Sequence, residues 1–282
     1  MEDTHNHLES DRVQMKTVVI TGSTRGLGFE MARQFCMNGA NVVINGINEK
    51  RLEDAVAKLR EIASGSEVDG FAGDVAASGD IRGLVAYASG RFGSIDIWIN
   101  NAGVNQPMKA IWELTEEEIN ALIDVDLRGA VLGSRAAMLQ MEQQPNGGYI
   151  YNVEGYGSND ARMLGLNMYG TSKRAVTHFT RAFAEELAER GSKVKAGRLS
   201  PGIMYTDFSV QSLGGKGQID LPEKTKKFYN MMGDYPDVVA EFLVKKMLAN
   251  TRNNVHIEWL TGGKVFRRLI AAPFSRRGKY YE

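Results

Sequence analysis

The chain has 282 residues, and its 34 Lys and Arg residues balance 34 Asp and Glu residues, so its formal net charge is zero. This balance excludes the global basic field with which nucleic-acid-binding proteins neutralise phosphates. Hydrophobic residues make up 43% and charged residues 24%, which is typical of globular proteins and excludes the collagen-like and integral membrane classes. We therefore expect a small neutral or anionic ligand, no nucleic-acid partner and no integral membrane segment.

Residues 1–15 are polar and lack periodicity, so we interpret them as a flexible leader without a signal peptide. Cys36 is the single cysteine, which excludes an intrachain disulfide. Together these features predict a reducing, cytoplasmic location. Cys36 lies in an amphipathic helical run, which favours a buried packing thiol over a nucleophile. We expect no catalytic metal, because zinc-ligand spacing is missing among the histidines His5, His7, His178 and His256.

From Lys16 onward, short apolar runs alternate with longer helical patterns, which indicates repeated βαβ units. The predicted fold class is α/β, a Rossmann-type doubly wound, seven-stranded parallel sheet with helices on both faces. The predicted strands span residues 17–20, 41–44, 69–72, 95–99, 148–152, 194–199 and, on the weakest pattern, 257–260. The predicted helices span residues 26–37, 49–62, 81–92, 116–141, 169–190 and 237–249. Because doubly wound domains reach roughly 250 residues, we assign a single domain to residues 16–263.

The first predicted strand runs directly into a glycine-rich turn, residues 21–28 (TGSTRGLG), and then into a helix. Glycines at such a turn let backbone amides approach a diphosphate, and the helix N-terminus adds a favourable dipole for the anion. The position of the turn predicts dinucleotide binding, with a tight turn that binds no ligand as the alternative.

The second predicted strand runs into residues 44–48 (INGIN), where an NAD-binding protein of this fold carries an acidic residue for the ribose hydroxyls. The sequence has no carboxylate there. Arg25, inside the glycine-rich turn, can offer a bidentate fork to a 2′-phosphate, with Lys50 and Arg51 as more distant cations. NADP(H) is therefore favoured over NAD(H), and the alternative is that these are ordinary surface cations.

Tyr169 and Lys173 are four residues apart in a predicted helix, and this spacing places both on one face. A phenol with an unperturbed pKa of about 10 exchanges protons poorly at neutral pH. Because a neighbouring ammonium stabilises the phenolate, we expect Lys173 to lower the pKa of Tyr169 toward the working range. Tyr169 is therefore a candidate general acid/base.

With these motifs the chain resembles the short-chain dehydrogenase/reductase family of the single-domain type, from about Lys16 to Gly263. The matching motifs are Gly22, Gly26 and Gly28 of the turn, Asp74-Val75, Asn100-Asn101-Ala102-Gly103, Tyr169 with Lys173, and Pro201-Gly202 with Thr206. The resemblance implies an oxidoreductase that transfers a hydride between a nicotinamide ring and a carbonyl or alcohol carbon. It also implies a homodimer or homotetramer.

The resemblance assigns cofactor-binding roles residue by residue. Asp74 would accept a hydrogen bond from the adenine amino group, and Asn101 and Gly103 would support the adenosine side. Lys173 would hold the nicotinamide ribose, and Thr206 would meet the carboxamide or a phosphate. The full candidate set is Gly22, Ser23, Thr24, Arg25, Gly26, Leu27, Gly28, Asn45, Asp74, Val75, Asn101, Ala102, Gly103, Tyr169, Lys173, Pro201, Gly202, Ile203 and Thr206.

One departure from the family pattern lies in the loop after the fifth strand. Most relatives carry a serine three residues after the asparagine of that strand, where it polarises the substrate oxygen, but this position is Gly155 here. Ser158 is the candidate replacement, with closure of the turn through backbone hydrogen bonds as its alternative role. The loop resembles that of the chlorophyll b reductase branch, which reduces a formyl group on a large planar tetrapyrrole with NADPH. The sequence alone does not identify the substrate.

A second departure is Asp126, where the family usually has an asparagine that links Lys173 to a proton-relay water. An aspartate can still accept a hydrogen bond there, and its charge favours the lysine ammonium and alters the acidity of Tyr169. The alternative is a mid-helix carboxylate that is satisfied locally.

Several segments have weaker or structural interpretations. Residues 205–236 follow a strand end and have no clear pattern, so we assign them, with residues 106–112, to substrate enclosure and specificity. Trp98 and Trp112 are interpreted as core or subunit-contact aromatics. The run Glu116 to Glu118 is expected in the first turn of a helix, where negative charge complements the macrodipole.

Residues 264–282 form a basic tail in which cations alternate with apolar residues. We expect this tail to pack along a neighbouring subunit, with contact to a membrane surface or an anionic substrate as the alternative.

These observations predict an NADPH-dependent reductase, or the same machinery running as a dehydrogenase. Tyr169 is the general acid/base, Lys173 its activator, Asp126 part of the relay, and Ser158 or a backbone amide steadies the oxyanion. The alternative is a catalytically inactive NADP(H)-binding regulator, which Gly155 and Asp126 would explain. Retention of Tyr169 favours the enzyme, because a pure binder needs the lysine but not the tyrosine.

Overall fold

A computed structural model of the chain describes residues 16–63, 65–206 and 223–271. Its strands form one parallel sheet, and they are β1 (Thr17–Ile20), β2 (Asn41–Gly46), β3 (Val68–Ala72), β4 (Ile97–Asn100), β5 (Gly148–Val153), β6 (Val194–Ser200) and β7 (Val255–Glu258). The spatial order is β3-β2-β1-β4-β5-β6-β7. The chain adds strands on one side of β1 up to β3 and then continues on the other side from β4, so the strand order reverses between β1 and β4. The predicted seven-stranded, doubly wound parallel sheet is confirmed.

The helices are α1 (Gly26–Met37), α2 (Glu49–Ile62), α3 (Ser78–Phe92), α4 (Glu116–Ala121), α5 (Gly129–Met141), α6 (Asn167–Glu189), α7 (Glu223–Met232), α8 (Pro236–Leu248) and α9 (Gly262–Ala271). A π-helical turn, Leu122–Arg128, joins α4 to α5, and a 3-10 turn, Ile111–Glu113, precedes α4. Within the described ranges, no helix has both the length and the apolar character needed to cross a bilayer.

Hydrophobic cores cover the two faces of the sheet, because successive strand side chains point to opposite sides. Val18 and Ile20 of β1 pack in the core that includes α1, α2 and α8. Val19 of the same strand packs in the core that includes α3, α5 and α6. Trp98 is fully buried in this second core, as one of its two interpretations predicted. The carboxyl ends of the strands are thereby held in line at one edge of the sheet.

Three predictions about individual residues can be compared with the structure. Cys36 is buried, and burial raises the pKa of its thiol to about 12, which confirms a packing role over a nucleophilic one. Glu116 begins α4 and the run to Glu118 fills its first turn, as predicted. Trp112 is 84% exposed, so the core interpretation is wrong for this residue.

The boundaries of three elements differ from the prediction. Strand β4 begins at Ile97, because the backbone N–H and C=O of Ile95 are bonded to the Gln144 side chain at 2.9 Å each. Strand β7 lies two residues earlier than predicted, with Val255 opposite Gly197. The predicted helix 116–141 contains the π-helical turn, which carries Asp126.

Two helices were absent from the prediction. Helix α7 occupies part of the segment that lacked a pattern, and α9 crosses the predicted domain end at residue 263. Asp234 attaches α9 to the domain, since its carboxylate accepts hydrogen bonds from Trp259 Nε1 at 2.7 Å and Arg268 Nη2 at 2.5 Å. The predicted leader, residues 207–222 of the enclosure segment and residues 272–282 of the tail lie outside the described residues.

Candidate functional site

The glycine-rich turn between β1 and α1 requires glycine at defined positions. Gly22 has φ +59°, and a Cβ there would lie 2.6 Å from the Cα of Ala102. A Cβ at Gly28 would lie 2.5 Å from Asn101 Nδ2. Gly26 also has φ +59°, but its Cβ would meet only Thr206 Cγ2, at 3.9 Å. The turn is therefore closed toward β4 and open toward Thr206, which is a cradle where backbone amides can approach a diphosphate.

Neutral side chains hold this turn in place. Ser23 donates its hydroxyl to the C=O of Ile20 at 2.6 Å and accepts from the N–H of Asn45 at 3.1 Å. Asn101 donates from Nδ2 to the C=O groups of Thr21 and Gly22, both at 2.9 Å. Because each of these groups is satisfied by the turn itself, Ser23 and Asn101 stabilise the cradle.

The side chain of Asn45 also forms hydrogen bonds to the backbone around the turn. It is buried, its Oδ1 accepts from the N–H of Gly22 at 3.4 Å, and its Nδ2 donates to the C=O groups of Phe71 and Gly73 at 3.1 and 3.0 Å. It thus ties the ends of β2 and β3 to the turn. Leu27 and Val75 are buried apolar residues beside this region, and Ala102 lies against Gly22.

The end of β2 faces the start of the turn. A Cβ at Gly46 would lie 2.7 Å from Thr24 Cγ2, so Thr24 covers the position after Asn45. Asn48 caps α2 by accepting from the N–H of Arg51 at 2.8 Å. Arg25 is exposed at the N-cap of α1. Residues 44–48 at the end of β2 carry no carboxylate, and the cation Arg25 lies on the facing turn, next to Thr24.

Four further cofactor candidates, Asp74, Pro201, Gly202 and Ile203, shape the backbone in the structure. Asp74 is exposed, and its Oδ1 accepts from the N–H of Ala76 at 2.9 Å. Pro201 and Gly202 turn the chain after β6, with φ +74° at Gly202. Ile203 then accepts from the N–H of Asp234 at 3.0 Å, which directs Thr206 back toward Gly26.

The predicted catalytic residues lie together at the N-terminal part of α6. Lys173 Nζ lies 3.6 Å from Asp126 Oδ2, and both side chains are buried. Asp126 Oδ1 accepts from the N–H of Val104 at 2.7 Å, and Oδ2 accepts from the Ser172 hydroxyl at 3.5 Å. A Cβ at Gly103 would lie 3.2 Å from Asp126 Oδ1. Asp126 thus bonds across to the loop after β4, so the alternative of a locally satisfied mid-helix carboxylate is wrong.

The expectation that Lys173 lowers the pKa of Tyr169 is also wrong. Burial, and secondly the negative charge of Asp126, raise the pKa of the Tyr169 phenol. The Lys173 ammonium lies over the ring face, with Nζ 5.6 Å from the ring centroid, and it is paired with the Asp126 carboxylate. Burial also raises the pKa of Asp126, against the opposing effect of Lys173. The phenol is therefore fully protonated at neutral pH, which is the state of a proton donor.

The glycine at position 155 has a steric reason. A Cβ there would overlap the Tyr169 hydroxyl oxygen and would lie 3.0 Å from Tyr169 Cζ. Gly157, at φ +94°, packs in the same way against the Cα of Gly170. The loop after β5 therefore lies directly on the backbone and phenol at the start of α6, in the place that the family pattern gives to a serine.

Of the two roles expected for Ser158, replacement of the family serine or closure of the turn, the hydrogen bonds of its side chain correspond to closure of the turn. Its hydroxyl accepts from the N–H of Gly155 at 3.2 Å and donates to the C=O of Lys173 at 3.4 Å. Both contacts fix the loop on α6. The structure therefore shows Ser158 as a positioning residue for Gly155.

Gln106 is a site residue that the sequence analysis placed only in a specificity region. It is fully buried, its Oε1 accepts from the N–H of Tyr169 at 3.0 Å, and its Nε2 donates to the C=O of Lys109 at 3.2 Å. It therefore caps the first turn of α6 and links it to the loop after β4. An amide side chain shortly after the Asn-Ala-Gly motif was the available signal.

A buried charge cluster behind the loop was also missed. Glu154 precedes Gly155 and is contacted by Thr177 Oγ1 at 2.8 Å, Arg198 Nη1 at 3.4 Å and His256 Nε2 at 3.1 Å, and by the Ser200 hydroxyl. Burial alone would raise the pKa of Glu154, but the hydrogen bonds from His256, Ser200 and Thr177 outweigh it and lower the pKa to about 2. These five side chains come from four separate segments, the loop after β5, α6, β6 and β7, so no local spacing could have revealed the cluster.

Exposed apolar side chains lie on the two loops that meet at Tyr169. Gly165 packs against Met108, since a Cβ there would lie 3.3 Å from the Met108 Cα. Trp112 is 84% exposed and Leu164 is 94% exposed. Further apolar residues on the same loops are partly exposed, namely Ile111, Tyr156 and Met163. We call the set Met108, Ile111, Trp112, Tyr156, Met163 and Leu164 the apolar rim.

Comparison with known proteins identifies relatives along nearly the whole chain. The family model described as short chain dehydrogenase matches residues 16–214. Chlorophyll(ide) b reductase NOL, chloroplastic, of Oryza sativa subsp. japonica is 34% identical over 93% of this chain and 77% of that protein. The NOL protein of Arabidopsis thaliana is 35% identical over 93% of this chain and 76% of that protein. The probable chlorophyll(ide) b reductase NYC1 of Oryza sativa is 34% identical, and the chain spans 54% of its length.

Solved structures share the fold. A short chain dehydrogenase from Burkholderia cenocepacia J2315 in complex with NADP superposes with a TM-score of 0.74 at 25% identity, over 88% of this chain and 97% of that one. Levodione reductase gives a TM-score of 0.78 at 24% identity, over 89% and 98% of the two chains. The resemblance to the chlorophyll b reductase branch is supported by the named relatives. With its glycine-rich turn, its Tyr169–Lys173 pair and these matches, the chain belongs to the short chain dehydrogenase family of oxidoreductases.

Proposed function

We propose that this protein is an NADPH-dependent reductase that transfers a hydride to a carbonyl carbon of a large apolar substrate. One observation carries the proposal: Tyr169 and Lys173 share a buried cluster with Asp126 at the carboxyl edge of the sheet, and this edge also holds the Gly22–Gly28 cradle. In open α/β sheets, ligands bind at this edge, at the reversal of strand order.

The cradle fits the diphosphate of a dinucleotide. Backbone and side-chain atoms fill the space behind Gly22 and Gly28, whereas a Cβ at Gly26 would meet only Thr206, at 3.9 Å. In the proposal, the cradle holds the diphosphate, Lys173 the nicotinamide ribose, and Thr206 the carboxamide or a phosphate. Bound NADPH supplies the hydride, and the chain supplies orientation.

Arg25 supports the preference for NADP(H). Its exposed position at the N-cap of α1 lies beside the end of β2, where Gly46 is covered by Thr24. A guanidinium at this corner favours a 2′-phosphate, whereas a carboxylate would favour ribose hydroxyls.

The proton in this mechanism comes from Tyr169. Reduction of a carbonyl requires a protonated donor, and the raised pKa of Tyr169 keeps its hydroxyl protonated at neutral pH. When the carbonyl carbon receives the hydride, the oxygen takes the phenolic proton and the product is an alcohol. Lys173 lies over the ring of Tyr169, where in the proposal it holds the nicotinamide ribose, and Asp126 keeps Lys173 in position through the buried ion pair.

The apolar rim supports a large planar substrate. Its members lie on the loops after β4 and β5, next to the start of α6, and Trp112 and Leu164 present nearly their whole side chains. Exposed apolar patches of this kind mark ligand-binding surfaces. The named relatives act on chlorophyll(ide) b, so we propose a formyl group on a planar tetrapyrrole as the substrate of this chain.

The test is reduction of chlorophyllide b by NADPH in the presence of the purified chain. We expect formation of the hydroxymethyl product, no reaction of chlorophyllide a, which lacks the formyl group, and a loss of about 10³-fold in kcat for Tyr169→Phe. Tyr149→Phe, on β5, is the matched control and should keep full activity. Equal turnover of the Tyr169→Phe variant and the wild type would remove Tyr169 from the mechanism.

A catalytically inactive NADP(H)-binding regulator is the second candidate, favoured by the Tyr169 hydroxyl lying against Gly155 and by the engagement of Ser158 in the turn. Tight NADPH binding without NADPH consumption, over a panel of aldehydes, ketones and chlorophyllide b, would establish the regulator and exclude the enzyme.

A further inference from the structure

Helix α9 is amphipathic, but its apolar side faces away from the domain. Phe266, Leu269 and Ile270 are spaced to share one face of the helix, and they are 66%, 51% and 61% exposed. Arg268, on the opposite side, is buried and pairs with Asp234. A helix normally buries its apolar face against the core, so the exposed face of α9 requires another partner.

Polar contacts fix this orientation of α9. Arg268 donates to the Asp234 carboxylate at 2.5 Å and to the C=O of Met232 at 2.6 Å. Lys264 lies over the ring of Trp259. Turning the apolar face inward would leave the buried Arg268 guanidinium without its carboxylate partner, and breaking a buried ion pair in this way is strongly destabilising. The outward apolar face is therefore part of the stable fold.

Cations surround the apolar face. Arg267 is exposed on α9, and the contacting helix α7 adds exposed Lys227 and Phe228. Helix α9 has no acidic residue, and the described side chains of α7, from Lys226 to Met232, include none. Phe228 and Lys227 of α7 and Phe266, Arg267, Leu269 and Ile270 of α9 are thus exposed apolar and basic side chains on two contacting helices, and we call this set the α7–α9 surface.

We propose that the α7–α9 surface docks the protein on an anionic lipid bilayer. The combination of exposed Phe, Leu and Ile side chains with flanking Lys and Arg is the composition of helices that lie in the membrane interface. Negative lipid headgroups attract the cations while the apolar side chains enter the acyl boundary. A second copy fits this surface less well, because a two-fold contact would place the same cations of both copies against each other.

The surface is also connected to the candidate site. Asp234 pairs with Arg268 of α9, and Met204, after β6, forms a bridge with Asp234. Tyr205 then donates its hydroxyl to the C=O of Tyr229 in α7, and Thr206 follows opposite Gly26. Docking through α7 and α9 would therefore bear on the segment that carries Thr206, although lipid binding itself does not depend on the reductase activity.

The test is flotation of the full chain with phosphatidylcholine vesicles that contain or lack phosphatidylglycerol. We expect binding to the anionic vesicles and little to the neutral ones. The double variant Leu269→Gln with Ile270→Gln should lose about tenfold or more in affinity, because it removes two exposed apolar side chains that the bilayer would bury. Arg267→Gln should lose about fivefold, as expected for one cation near an anionic surface.

Matched controls separate the surface from general effects. Leu139→Gln on α5 removes another exposed apolar side chain, and Lys58→Gln on α2 removes another exposed cation. Both should bind like the wild type. All variants should keep the wild-type circular dichroism, and if the double variant fails to fold, Arg267→Gln alone decides the outcome.

Equal binding to neutral and anionic vesicles, or unchanged binding by both surface variants, would overturn the proposal. So would absence of vesicle binding together with a change of sedimentation coefficient in the double variant, which would assign the surface to a second copy of this chain.

Discussion

The two halves of the carboxyl edge of the sheet are stabilised by different chemistry. The cofactor half, at the ends of β1, β2 and β4, is held by neutral groups such as Ser23, Asn45 and Asn101, each bonded to backbone. The proton half, at the end of β5 and the start of α6, contains buried charges, including the Lys173–Asp126 pair and Glu154.

This difference follows from what each half must do. A diphosphate is bound by backbone amides and a helix dipole, so its cradle needs fixed geometry and no charged side chain of its own. Proton transfer needs a group whose acidity is set by its surroundings, and buried charges are the strongest means of setting it. The variants below test that division.

The largest expected effect is on stability, in the proton half. Glu154 has a pKa of about 2 in the folded protein against an ordinary value of 4.5, so its stabilising contribution is present above pH of about 4.5 and is lost as the pH falls toward 2. Glu154→Gln should therefore lower the free energy of unfolding at neutral pH by at most about 3 kcal/mol, and by progressively less in acid. Denaturant unfolding at several pH values measures this, with exposed Glu186→Gln as the control. A pH-independent difference would show that packing, and not charge, stabilises the cluster.

The next effect concerns the glycine that replaces the family serine. Gly155→Ser and Gly155→Ala should each reduce kcat by about 100-fold, because the added Cβ displaces the Tyr169 hydroxyl and misplaced catalytic groups lose about that factor. Steady-state kinetics with NADPH measures both. The serine variant could instead be more active than both the alanine variant and the wild type. That result would mean that Tyr169 can move aside without loss of activity and that the new hydroxyl acts on the substrate oxygen.

A smaller effect is expected in the cofactor half. Arg25→Ala should raise the KM for NADPH by about 10-fold or more, as for the loss of a charge-assisted hydrogen bond, and should leave the KM for NADH unchanged. Arg82→Ala, at an exposed position on α3, is the matched control. A similar loss with both cofactors would contradict the 2′-phosphate assignment and would indicate a general role for Arg25 at the cradle.

The smallest effect is a shift in pH dependence. Asp126→Asn removes the negative charge that raises the pKa of Tyr169, so the pKa of the phenol should fall. Because the reduction uses the protonated phenol, activity should then be lost at a lower pH on the alkaline side, by about one unit. The pH profile of kcat shows the shift, with the exposed Asp124→Asn in the same π-helical turn as the control. A shift to higher pH would contradict the electrostatic role of Asp126.

The cofactor half could be predicted from the sequence because its signals are local. The glycines at 22, 26 and 28 are read from one turn, and helix α2 was predicted with its observed bounds because its apolar residues follow the helical period. The resemblance to a known family added the positions of Asp74 and Asn101.

The proton half could be predicted only in part because its properties arise from contacts between distant segments. Asp126 reaches the N–H of Val104 from a π-helical turn, and the spacing of Tyr169 and Lys173 does not show that the ammonium lies over the ring face and not at the hydroxyl. Most of helix α9 was assigned to the basic tail and not to the domain. Amphipathic helices usually bury their apolar face in the core, but the apolar face of α9 is exposed.

The position of Asp234 has a consequence for the order in which the protein is completed during synthesis. Its carboxylate is satisfied by Trp259 and Arg268, which leave the ribosome after almost all of the sheet. Until Arg268 has emerged, the segment that carries Met204 and Thr206 lacks its anchor, so a nascent chain can form the nucleotide cradle before it can form the opposite wall. Completion of the candidate site therefore depends on Arg268, and a premature stop shortly before it would leave all seven strands present but Asp234 without this anchor.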